Sequence, residues 1–123
     1  MARFFLVAGA VVMALGVALG AYAAHASKGA AHPEAARLLQ TAVLYQLVHG
    51  IGLIATGLLA TQRTSRWLAA AGSLFVAGIA LFCGSLWALA LSGASSGPFA
   101  PVGGTAFIAG WIALAIHAWR LRP

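Results

Sequence analysis

Phe4 to Ala24 reads FFLVAGAVVMALGVALGAYAA, 21 residues without a charge. At 1.5 Å rise per residue such a helix just crosses a hydrocarbon layer of about 30 Å. Three comparable stretches follow, at about Leu38 to Thr61, Trp67 to Ser92 and Val102 to Trp119, the last near the short limit for a span. The first stretch also satisfies the pattern of a cleavable signal: Arg3, a long apolar run and the small-x-small triplet Ala21-Tyr22-Ala23. Three further spans follow it, so it is read as an uncleaved first helix. The expected fold is all-α: an integral membrane four-helix bundle forming a single transmembrane domain over residues 1–123.

Composition points the same way. Apolar residues make up 63% of the chain and charged residues 7%, with a mean hydropathy of +0.98, whereas a soluble domain carries about 25% charged residues. The four stretches use up nearly the whole chain, leaving no room for a soluble catalytic domain. The net charge of +6 does not argue for nucleic acid, because the arginines stand singly at segment ends rather than along one exposed face. The one cysteine, Cys83, lies in an apolar run, which excludes an internal disulfide or a cysteine-based metal cluster and reads as a small core residue.

The breaks between the stretches carry start signals and orientation. Pro33 followed by Glu34, in His32-Pro33-Glu34-Ala35-Ala36-Arg37, is a good helix start, so helix 2 begins outside the hydrocarbon. Gly93 to Gly104, rich in Ser, Gly and Pro, is the one substantial loop. Arg3, Arg63, Arg66, Arg120 and Arg122 fall on one side of the bundle and Lys28 and Arg37 on the other. Short positively charged loops are retained in the cytoplasm, so both termini are expected inside. Trp67 and Trp119 then lie at the inner interface and Tyr22 at the outer one.

Small residues set helix contacts in lipid, where apolar bulk gains nothing by leaving lipid for protein. Gly9, Gly16, Gly20 and Ala24 share a stripe on helix 1, with Gly16 and Gly20 as a GxxxG pair. The stripe serves either packing inside one bundle or self-association between protomers. Val7-Ala8-Gly9 recurs as Val76-Ala77-Gly78 in helix 3, consistent with two duplicated hairpins.

Polar residues at membrane depth are the functional candidates. Tyr45, Gln46 and His49 lie at i, i+1 and i+4 of helix 2, with His49 near the midplane. Ser85 on helix 3 and Trp111 on helix 4 come out at the depth of Gln46, so an interhelical network of the five is expected. It either fixes helix register or lines a small outward-facing cavity that passes protons or a small polar solute, with His25 extending the path to water. No two histidines stand as HxxxH and the one acid, Glu34, lies in a loop, so no metal site is expected. A second candidate is an outer-rim site of His25, Gly103 and Gly104, where the start of helix 4 and Lys28 would attract an anion or a lipid headgroup. In the plainer reading of that segment the glycines allow a sharp turn and Thr105 caps the helix.

Several of these residues stand in a familiar pattern. Gly20-Ala21-Tyr22-Ala23-Ala24-His25, Tyr45-Gln46 with His49, Phe82-Cys83-Gly84-Ser85-Leu86-Trp87, and Pro101-Val102-Gly103-Gly104 with Phe107 and Gly110-Trp111 resemble the domain-of-unknown-function 423 family. These are small bacterial inner-membrane proteins with a related eukaryotic transmembrane protein, and the likeness runs through all four helices in order. Trp87 stands where the family usually has Tyr, and Ala100 where Thr often precedes the Pro. The resemblance implies a four-helix integral membrane fold in the bacterial cytoplasmic membrane and supplies no activity.

The expected function is therefore non-enzymatic: a structural, assembly or accessory protein that meets the lipid bilayer and either a second copy or another membrane protein. The alternative is a small oligomeric channel or carrier along the line from His25 to His49. An enzyme ranks third, because a lone histidine without an acid, a nucleophile or a metal has few reactions available. No cofactor and no nucleic-acid partner are expected.

Overall fold

The computed structural model describes residues 1–28, 33–94 and 97–121. These form four helices: α1 (Ala2–Lys28), α2 (Pro33–Gln62), α3 (Arg66–Ser92) and α4 (Phe99–Trp119). Each holds a window long and apolar enough to cross a membrane. The expectations placed on His32, Arg122 and the Lys28 side chain lie outside the described residues.

The helices outrun the hydrophobic stretches that announce them. Helical backbone satisfies its own hydrogen bonds whether or not lipid surrounds it, so a helix continues into the interface until a breaker or a cap stops it. Pro33 and Glu34 occupy the first turn of α2, as the sequence signals. The start of α4 differs from expectation. It begins at Phe99 rather than Val102, with the Pro98 carbonyl accepting from the Val102 N–H at 3.0 Å. Pro101 is tolerated because a first-turn residue has no intrahelical acceptor to lose. Gly103 and Gly104 are therefore helical, and the loop shrinks to a short connection. Its described glycines, Gly93 (φ 69°) and Gly97 (φ 57°), take the left-handed conformation. Gly93 closes α3 by donating to the Leu89 carbonyl at 2.9 Å.

α1 packs along α2, α3 along α4, and the two hairpins join where α2 meets α3. The α1 glycine stripe faces α2: a Cβ on Gly9 would meet Ile54, on Gly16 Leu47 and on Gly20 Val43. Gly50 answers from α2 against Met13, and Gly57 against Leu6. The small residues thus bring backbones together inside one chain, as packing without a hydrophobic driving force requires. In the second hairpin Gly78 of α3 lies under the Phe107 ring, so Gly9 and Gly78 each face the helix that follows their own. The buried centre consists of Phe5, Leu53, Phe75, Cys83 and Phe107.

α3 is not uniform. Ile79–Cys83 form a π-type turn, in which the Gly84 N–H reaches back five residues to the Ile79 carbonyl. One inserted residue rotates everything beyond it by about 100° relative to an uninterrupted α-helix. Before the turn α3 buries Leu68, Ala71, Gly72, Phe75 and Gly78; within it the buried position is Cys83 and beyond it Ser85. The start of α1 and the end of α4 lie together, with Met1 beside Thr64 to Arg66 and Arg120 over Trp67.

Candidate functional site

The middle of the bundle is an aromatic cluster built around one histidine. His49 is 4% exposed, and its ring lies parallel to Phe107 of α4, centroids 3.5 Å apart at 11°. Tyr45, one turn earlier on α2, stacks at 5.9 Å, and Phe75 and Trp111 close the remaining sides at 5.7 and 5.9 Å. Phe82, displayed by the π-type turn, meets Tyr45 at 4.7 Å and Phe107 at 5.7 Å. Three helices thus contribute rings to one stack, held together by aromatic quadrupoles and dispersion.

The polar atoms of this region turn to backbone. His49 Nδ1 lies 2.7 Å from the Tyr45 carbonyl; a carbonyl only accepts, so Nδ1 carries the proton and Nε2 is the acceptor of the neutral ring. Gln46, 5% exposed, donates from Nε2 to the Val12 carbonyl of α1 at 3.1 Å. Gly16 packs beside it: a Cβ there would meet the Gln46 amide nitrogen at 3.6 Å, an ordinary contact, and would press on Leu47 Cδ2 at 2.6 Å. Ser85 donates to the Phe82 carbonyl of its own helix at 2.9 Å, satisfying an acceptor in the stretch where the π-type turn disturbs the regular ladder.

The expected five-membered hydrogen-bonded network is accordingly replaced by something else. Tyr45 and Trp111 meet the His49 ring, Gln46 turns to α1 of its own hairpin, and Ser85 bonds locally. Among the described residues no side-chain-to-side-chain hydrogen bond joins any two of the five, and His49 bonds Tyr45 only at its backbone carbonyl. At mid-depth a backbone carbonyl is the nearest acceptor on offer, and choosing it costs no extra side-chain ordering.

The outer-rim candidate is also rearranged. The helix-start N–H groups belong to the turn at Phe99. Gly103 instead lies buried against the backbone of Phe82, and a Cβ on Gly104 would stand nearly 4 Å from that ring. Thr105 donates to the Val102 carbonyl at 2.7 Å and caps nothing. His25 is exposed and bonds its own helix, Nδ1 to the Ala21 carbonyl at 2.8 Å.

At the opposite end the structure joins two residues that the sequence reading left apart. Ser65 caps α3, its Oγ accepting from the Leu68 N–H at 3.2 Å, and the same oxygen lies 2.9 Å from His117 Nδ1 on α4. A serine directly before an apolar run is a cap signal; its histidine partner, 52 positions away, has no sequence signal.

Known proteins share this pattern. The signature of the family described as "Protein of unknown function (DUF423)" matches residues 19–104. The chain belongs to the DUF423 family. The membrane protein YwdK of Bacillus subtilis (strain 168) is 36% identical over 118 residues, covering 94% of this chain and 96% of its own. The inner membrane protein YgdD of Escherichia coli (strain K12) is 34% identical over 121 residues, covering 98% and 92%. A Staphylococcus haemolyticus membrane protein is 36% identical over 121 residues, covering 96% and 97%. No solved structure matches. This DUF423 protein is an integral membrane protein of four helices. The matched segment includes Tyr45, Gln46, His49 and the π-type turn but ends before Phe107, Trp111 and His117.

Proposed function

We propose that the protein is a non-enzymatic structural or accessory component of the cytoplasmic membrane, with both termini on the cytoplasmic side. The observation that carries this reading is the disposition of Gln46 and His49: each hydrogen-bonds a backbone carbonyl, and the His49 ring is stacked against Phe107. The Gln46 bond to α1 holds two helices in register, and interhelical bonds of this kind contribute about 0.6 kcal/mol each in membrane bundles, up to about 1.7; the His49 bond closes on its own helix. A conduit needs a continuous run of exchangeable donors and acceptors. The aromatic wall of Phe75, Phe107 and Trp111 around His49 argues against one.

A partner, either a second copy or another membrane protein, would be met on outward faces such as Val7, Val11 and Leu15 of α1, which are exposed. The α1 glycines face α2 within the chain. Reconstitution in liposomes tests the reading. The expected result is no proton or solute flux above empty vesicles, alongside a discrete complex when the protein is taken from its own membranes in mild detergent. A flux that His49→Ala abolishes in a folded protein would overturn it. A reporter fused to the C-terminus should be active on the cytoplasmic side only; activity on the other side would reverse the orientation.

A further inference from the structure

At the end of the bundle that holds Met1 and the last turn of α4, the α2–α3 connection and that turn enclose a cleft of about 360 Å³, lined by Arg63, Ser65, Arg66, Trp67, His117 and Arg120 among others. The guanidinium carbons of Arg66 and Arg120 lie 5.5 and 5.3 Å from the centroid of the same Trp67 ring. Three arginines therefore gather at one cleft, two of them drawn in over one indole. No acidic side chain is available to neutralise them. The one acid in the chain, Glu34, begins α2 at the opposite end and lies 3.4 Å from Arg37. Like charges brought together without a counter-ion repel, and an anion between them removes that cost.

The rest of the cleft suits the same ligand. Ser65 ends the connection and starts α3, so the N–H groups of Arg66 and Trp67 have no intrahelical acceptor and the positive end of the helix dipole faces the cleft. The indole N–H of Trp67 is buried without an acceptor among the described residues. His117 is 6% exposed and is fixed by Ser65, which gives the cleft a rigid polar floor. Guanidinium forks match phosphate oxygens in pairs, and a Trp-bearing helix end marks the depth of lipid headgroups.

We propose that this cleft binds a phosphate group, presented by an anionic phospholipid headgroup or free in solution. Arg66 and Arg120 grip the oxygens, and the start of α3 supplies backbone donors. The site is separate from the His49 cluster and does not depend on the function proposed above.

The test uses the full-length protein, stripped of lipid in neutral detergent and titrated by native mass spectrometry with phosphatidylglycerol or phosphatidylcholine, and by calorimetry with inorganic phosphate. Wild type should bind phosphatidylglycerol about tenfold or more tightly than phosphatidylcholine. Arg66→Gln with Arg120→Gln should erase that preference, the loss expected for removing charge-assisted hydrogen bonds. Arg37→Gln, at the other end, should leave it intact. Millimolar inorganic phosphate that binds and displaces the lipid identifies phosphate itself as the ligand; lipid binding without phosphate binding identifies the headgroup. Equal binding of both lipids with no binding of phosphate overturns the proposal, as does an unchanged preference in the double variant. Should that variant fail to fold, a photoreactive phosphatidylglycerol on wild type decides the question. Labelling within 63–67 and 117–121 supports the site, and labelling confined elsewhere overturns it.

Discussion

Gly103 and Gly104 are neighbours on α4 and are chemically identical, yet the structure predicts opposite responses to alanine. A Cβ added at Gly103 would stand 2.8 Å from Phe82 Cβ and 2.9 Å from Phe82 Cα, and would press on the Phe82 backbone nitrogen. Carbon atoms pack at about 3.5–4.0 Å, so the deficit is about 0.7–1 Å. The obstructing atoms belong to the α3 backbone and cannot rotate away; α4 must retreat instead. Phe107 lies one turn further on the same face and stacks on His49 at 3.5 Å. A gap of 0.5–1 Å there forfeits roughly a quarter to a half of the dispersion well. Overpacking of this kind costs about 1–3 kcal/mol, and Gly103→Ala is expected near 2 kcal/mol. A Cβ on Gly104 would meet nothing nearer than Phe82 Cδ2 at 3.8 Å, an ordinary contact. Gly104→Ala should therefore be neutral or gain up to about 1 kcal/mol from helix propensity. Unfolding in mixed micelles of mild detergent and dodecyl sulfate, followed by circular dichroism, reads both. Equal effects at the two positions, or a neutral Gly103→Ala, would refute the close approach of α4 to the π-type turn.

Gln46→Leu removes the bond to the Val12 carbonyl and should cost about 0.6–1.7 kcal/mol in the same titration; no loss would mean that the amide is not engaged with α1. Gly9→Val, whose Cβ would already stand 2.7 Å from Ile54 Cγ1 and 3.0 Å from the Ile54 nitrogen, should loosen α1 from α2 by about 1–3 kcal/mol. Its copy number by native mass spectrometry should stay unchanged, and a dissociated complex would place the glycine stripe between protomers instead. Ser65→Ala should cost about 1 kcal/mol through the lost cap. Combined with His117→Ala it should cost less than the sum of the two changes, because both act on one hydrogen bond; strict additivity would dissociate that pair.

The candidate site was legible in part. Tyr45, His49 and Trp111 do come together, as their depths predict, because a helix advances 1.5 Å per residue whatever its neighbours are. Depth says nothing about which way a side chain turns. Gln46 turns to α1 and Ser85 to its own helix because the choice of acceptor depends on the local space around it. For Gln46 the acceptor is the Val12 carbonyl of the neighbouring α1, and for Ser85 it is the Phe82 carbonyl within the π-type turn. The early start of α4 was missed because the Ser, Gly and Pro content of residues 93–104 read as loop, although proline is accepted throughout a first turn.

The sequence by itself determined that the chain crosses a membrane four times, since runs of about 20 uncharged residues have no other stable home. It also determined which breaks carry arginine and which glycines lie on one helix face, because both follow from composition and a fixed helical period. Only the tertiary structure decided that the α1 glycines face α2, that Phe107 covers His49, and that Arg66 and Arg120 converge on Trp67. Those outcomes depend on the rotation and close approach of helices far apart in the chain. Periodicity constrains each helix about its own axis and leaves its neighbour free; packing removes that freedom.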